Sequence, residues 1–157
     1  MLSTESLRRI DLEVAKYPTD HKQSAVMSAL AIAQDEHGWL SVALMDEVAR
    51  HLGMPPVAVY EVATFYTMYN LQPTGRFKLT ICTNLPCALQ GANIAADHMK
   101  KKLGIGFGET TADGRFTLKE GECMGACGDA PVVLVNNKKM LCAMTPAKLD
   151  DFFKETK

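Results

Sequence analysis

Arg76-Phe77-Lys78-Leu79-Thr80-Ile81-Cys82-Thr83-Asn84-Leu85-Pro86-Cys87 is the stretch on which the reading of this chain turns. From Arg76 to Cys82 polar and apolar residues alternate with period two, the signature of a half-buried strand, and the strand ends on its cysteine. Cys87 closes a C-x4-C loop. The design returns downstream, where Phe116-Thr117-Leu118-Lys119-Glu120-Gly121-Glu122 reads as a strand that delivers Cys123. Cys123-Met124-Gly125-Ala126-Cys127 is then a C-x3-C loop. Two strands each hand the chain to a cysteine pair, and the remainder reads as scaffold for four sulfurs.

Between the pairs, Leu89, Ala92, Ala95, Ala96, Met99 and Leu103 mark an amphipathic helix over Ala88–Leu103, stopped by Gly104. A strand-helix-strand unit crosses over right-handed, so the two strands are expected to be parallel with both cysteine loops at one edge of the sheet. Gly104-Ile105-Gly106-Phe107-Gly108 follows a helix and lacks the G-x-G-x-x-G spacing, so it is expected to be a helix stop and a mobile loop, not a phosphate cradle. Asp113-Gly114 signals a turn. Val132–Val135 and Lys139–Met144 pair as a hairpin across Asn136-Asn137-Lys138, and Thr145-Pro146 caps a last helix to about Lys154. The sum is α/β, a small sandwich of the thioredoxin type.

Upstream lies a small helical bundle. Leu7, Ile10 and Val14 define a first helix within Ser3–Tyr17, closed by Pro18, and a second spans His21–His37 before Gly38. Ser41 caps a third, ended by Gly53, and Met54-Pro55-Pro56 opens a fourth from Val57 to about Asn70. Asn70-Leu71-Gln72-Pro73-Thr74-Gly75 breaks every periodicity, which divides the chain into an N-terminal helical domain, 1–72, and a cysteine-bearing domain, 76–157. The third and fourth helices also resemble a helix-turn-helix, but Val57–Tyr69 carries no Lys or Arg to neutralise phosphate. On that helix Tyr60, Phe65, Tyr66, Met68 and Tyr69 form either core or a patch that another subunit covers.

Composition narrows the function. In 157 residues, 17 basic against 18 acidic side chains leave a net charge of -1, which calls for neither nucleic acid nor an anionic membrane. No apolar run is long enough to span a bilayer, and the first ten residues fit neither a secretory signal nor a transit peptide, so a cytoplasmic setting is expected. Thiols stay reduced there, and the five cysteines, an odd count, argue against a disulfide framework.

Four thiolates in two short-spaced pairs suit zinc and also suit an iron-sulfur cluster. A thioredoxin-type dithiol needs C-x-x-C, which neither pair has. Cys87 is expected just ahead of a helix N-terminus, and Gly91, Gly125 and Gly128 allow close backbone approach, which favours an anionic cluster without excluding zinc. His21, His37, His51 and His98 are scattered, and no histidine pair suggests a Rieske centre. Cys142, on an expected strand, reads as a small buried hydrophobe.

Tyr60-Glu61-Val62-Ala63-Thr64-Phe65-Tyr66-Thr67-Met68-Tyr69-Asn70, Cys87-Ala88-Leu89-Gln90-Gly91-Ala92, Gly108-Glu109-Thr110-Thr111 and Glu122-Cys123-Met124-Gly125-Ala126-Cys127-Gly128 with Ala130-Pro131 carry a family resemblance. Together, and in this order, they resemble the E-subunit family of bacterial NADH:quinone oxidoreductases, the thioredoxin-like 2Fe-2S ferredoxins of respiratory complex I. The resemblance implies that Cys82, Cys87, Cys123 and Cys127 ligate one 2Fe-2S cluster that exchanges electrons with flavin. It implies a flavin-bearing F subunit and a G subunit as partners, with FMN and NADH bound on the partner. It also implies a place in the peripheral arm of the respiratory complex, on the cytoplasmic face of the membrane and not inserted in it. Related subunits serve NAD-dependent hydrogenases and formate dehydrogenases. A zinc-stabilised adaptor or DNA-binding module is the rival from a different class.

Overall fold

Helical stripes upstream and alternation downstream build two separate cores. The computed structural model describes residues 1–156, and the chain divides into two compact units, Met1–Pro73 and Thr74–Lys157.

In the first unit, α1 (Thr4–Val14) starts at Ser3, whose hydroxyl accepts the N–H of Ser6. The second helix begins later than its periodicity predicts. Lys22–Ala25 forms a 3-10 turn, and α2 covers Val26–His37, because neither His21 nor Ala25 offers a capping side chain. Ser41 caps α3 (Val42–Leu52) by accepting the N–H of Leu44. Helix α4 (Pro56–Phe65) ends well short of Asn70. Its Thr64 hydroxyl donates to the carbonyls of Tyr60 and Glu61, and Tyr66 is extended. Beyond it the chain is drawn back onto α2, where the Tyr69 hydroxyl donates to the Met27 carbonyl and the Gln34 amide to that of Met68. Ile10, Leu30, Leu40, Val48 and Val59 fill the core. The aromatic cluster splits: Tyr69 is 4% exposed, whereas Phe65 is 78% exposed and Tyr66 and Met68 are exposed beside it.

The second unit runs β1 (Phe77–Cys82), α5 (Leu85–Leu89), α6 (Ala92–Leu103), β2 (Phe116–Gly121), β3 (Val133–Val135), β4 (Lys139–Leu141) and α7 (Pro146–Glu155). Its sheet has the order β2-β1-β3-β4, with β1 and β2 parallel and both other pairings antiparallel. Cys82 stands opposite Gly121 in the parallel register, so both cysteine loops leave the same sheet edge. Leu79, Ile81, Leu118 and Val133 on one sheet face pack with Ala95 and Met99 of α6 and Leu149 and Phe153 of α7. Each fully buried large side chain there contributes about 1.5–3 kcal/mol.

Three expectations change here. The helix expected over Ala88–Leu103 is two helices, broken at Gly91, whose φ of 88° a side chain accommodates poorly. The glycine-rich segment after Gly104 is tied along β2 instead of hanging free. The N–H of Gly108 donates to Leu118 and that of Leu118 to Glu109, with a further bridge between Thr110 and Thr117. Cys142 lies past the end of the short β4 and is exposed, so it is no core hydrophobe.

Candidate metal centre

Cys82 ends β1 and is 1% exposed. Cys87 is 2% exposed and lies inside α5, where Pro86 is tolerated in the first turn, and not ahead of a helix as its position predicts. This first loop is fastened to both neighbouring strands. The N–H of Cys82 donates to Val132, the N–H of Thr83 to Gly121, and the Thr83 hydroxyl to Glu120 at 2.7 Å.

The second loop is more open. Cys123 is exposed, and its sulfur accepts the N–H of Gly125 at 3.4 Å, where Gly125 has a φ of 73°. Cys127 is half-buried and begins a 3-10 turn, Cys127–Asp129. The exit is anchored by the N–H of Ala143 on Asp129 and that of Met144 on Pro131.

Three sulfurs meet. The thiol of Cys87 is pushed up to about 12, by burial first, then by its hydrogen bond to Cys82 and by the charges and hydrogen bonding of Cys82 and Cys127. Cys123 is not among the groups acting on it. Cys82, Cys87 and Ala92 form a small apolar nest, against which Met124, Cys127 and Ala130 pack. From Thr83 to Ala96 the chain carries no charged side chain, while Glu120, Glu122 and Asp129 stand on the strand and loop opposite.

All five cysteines are free thiols. Among the described residues no three His, Cys, Asp or Glu side chains converge on a point that could hold a single metal ion. The donor set, soft sulfur beside an apolar nest with no histidine, fits an iron-sulfur cluster. The histidines lie beside carboxylates instead, His51 on Asp11 at 2.7 Å and His98 on Asp150 at 3.1 Å. Of the glycines expected to permit close approach, Gly91, Gly125 and Gly128 all have open space where a side chain would stand. Beside the cysteine loops the tight contact falls at Gly121, which the strand pattern had hidden.

An α/β unit with a mixed four-stranded sheet and free thiols gathered at one edge defines a thioredoxin-like iron-sulfur class. Within it, the chain belongs to the thioredoxin-like [2Fe-2S] ferredoxin family, which matches residues 10–157, and membership brings a [2Fe-2S] cluster. The chain is 48% identical over 128 residues to an E-type subunit of the NADH-quinone oxidoreductase of Rhizobium meliloti (strain 1021), covering 82% of this chain and 75% of that one. It is 45% identical over 134 residues to the E-type subunit of the same oxidoreductase in Rickettsia prowazekii (strain Madrid E), covering 85% and 76%. Among solved structures, the air-oxidised NAD+-reducing [NiFe]-hydrogenase superposes with a TM-score of 0.70 at 21% identity. That match covers 81% of this chain and 22% of that one, and it is a likeness of fold.

Proposed function

We propose that this chain is the electron-carrying subunit of an NADH dehydrogenase module in an NADH:quinone oxidoreductase, with Cys82, Cys87, Cys123 and Cys127 holding its cluster. The observation that carries the ligand set is the packing of Cys127 beside Cys82 and Cys87 where β1 and β2 end, with Cys123 at the head of the same second loop. Relatives named as subunits of that oxidoreductase, 45–48% identical over most of the chain, support the module.

When bound, the cluster supplies one-electron transfer. The chain's own residues provide thiolate donors, an uncharged apolar surround and acids on the opposite rim. Sulfur ligation without histidine sets the potential low, in the region of about -400 mV for plant-type centres. In this reading flavin and NADH are bound by an F-type partner, with a G-type subunit beyond it. Phe65, Tyr66 and Met68 on the first unit provide an exposed apolar patch suited to such a partner. Attachment through partner subunits gives the chain a peripheral place on the cytoplasmic face; among the described residues no helix is long and apolar enough to cross a membrane.

The test is reduction of the purified, cluster-loaded chain. Dithionite should bleach it and produce a paramagnetic signal, and NADH should do so only once the flavin-bearing partner is added. Reduction by NADH without a flavoprotein, or failure to associate with one, contradicts the proposal.

A further inference from the structure

Gly121 is the last residue of β2, one residue from the second cysteine loop, and it has no room for a side chain. A Cβ built there falls 2.5 Å from Cγ2 of Thr80 and 3.0 Å from Cε of Met124. Real Cβ atoms do not approach carbon so closely, so something must shift if one is added. The severe contact is the one with Thr80, while the flexible terminal methyl of Met124 fits closely over the glycine. Thr80 belongs to the packed central strand β1.

The same Met124 lies between Cys123 and Cys127 and packs against the nest of Cys82, Cys87 and Ala92. Its side chain therefore bridges the two loops. Its tip rests in the space that Gly121 leaves open, and its side chain lies against that nest.

We propose that Met124, seated over Gly121 and Thr80, is a cap that keeps water from the Cys82–Cys87 nest and thereby makes the cluster a stronger reductant. The inference rests on the ligand reading above. An all-thiolate two-iron cluster gains a negative charge on reduction, and water solvates the more highly charged state better than an apolar wall does. A thioether cap opposes that solvation and holds the potential down. Met124 is a positioning and shielding residue here and donates nothing to the metal. Gly121 acts through it.

Redox titration of the anaerobically purified full chain, followed by its paramagnetic signal, tests the cap. Met124→Ala should load a normal amount of iron and sulfide, shift the midpoint upward and lose its cluster to a chelator several-fold faster. Met124→Leu, which restores an apolar cap of similar volume, should stay at the wild-type values. A loaded Met124→Ala protein with unchanged midpoint and unchanged chelator rate overturns the proposal.

If Met124→Ala loads poorly, alkylation of the cluster-free protein decides the matter. Cys82 and Cys87 should react with iodoacetamide several-fold faster than in wild type, and equal rates overturn the cap. Failure of the ligand reading appears elsewhere, as undiminished iron in Cys87→Ala, so the two failures are distinguishable.

Discussion

The first cysteine loop buries both its sulfurs, closes with a short helix and is hydrogen-bonded to the strands on either side; the second exposes Cys123, turns on Gly125 and is anchored mainly where it exits, at Asp129 and Pro131. Both leave the same sheet edge, from residues paired in register. The contrast teaches how one small domain sets a fixed cysteine pair beside a more open one. One loop is part of the hydrophobic core and fixes two sulfurs, while the other holds its sulfurs nearer the surface. Met124 joins them, since it belongs to the open loop by sequence and to the fixed one by packing.

The largest effects should come from the ligands, and they should separate the loops by stability, not by loading. Cys87→Ala and Cys123→Ala are each expected to reduce cluster content at least tenfold, measured as iron and sulfide per chain. Only Cys87→Ala should also lower the stability of the cluster-free protein, by about 1 kcal/mol in urea unfolding, because only it removes buried volume. Equal destabilisation by both would erase the distinction.

Glycine substitutions sharpen it at smaller cost. Gly91→Ala forces a side chain into a left-handed conformation between α5 and α6, with an expected loss of about 1–2 kcal/mol in the cluster-free protein. Gly125→Ala imposes similar local strain in an exposed loop. It should cost no more in unfolding than Gly91→Ala does, and should slow reconstitution with iron and sulfide several-fold.

The strand that carries the first loop also buries Lys78, 3% exposed, and burial first, then the charge of Lys119, draws its amine down to about 8. The folded state thus binds this proton less well than the unfolded chain does. The cost is fully present below pH 8, and stability should rise as pH increases from about 8 to 10.5. Lys78→Met should flatten that rise in urea unfolding at fixed ionic strength. The smallest effect is expected at Cys142→Ala, which should change neither cluster content nor midpoint, since the side chain is exposed beyond β4.

What the sequence makes legible follows from where signals are local. Period-two alternation before Cys82 and Cys123 identifies the two strands, and the crossover rule makes them parallel, as the pairing of Phe77 with Phe116 through Cys82 with Gly121 bears out. Serine and threonine caps at Ser3, Ser41 and Thr145 mark helix starts correctly. The break at Gly91 escapes notice because the apolar stripe from Leu89 to Ala92 and Ala96 runs straight across it. The early end of α4 escapes for a related reason: no proline or glycine follows Phe65 until Pro73, and the stop is set by tertiary bonds from Tyr69 and Gln34. The exposure of Cys142 depends on a strand only three residues long, and the crowding at Gly121 on which side chains the fold brings above it.

Iron-edge X-ray absorption on anaerobically purified Cys142→Ala protein tests the central claim most directly, because that substitution leaves the four loop cysteines as the chain's only thiols. A first shell made of sulfur alone, with iron as the next neighbour, is the predicted spectrum. Oxygen or nitrogen in the first shell, or zinc in place of iron, contradicts a cluster held jointly by the fixed loop and the adaptable one.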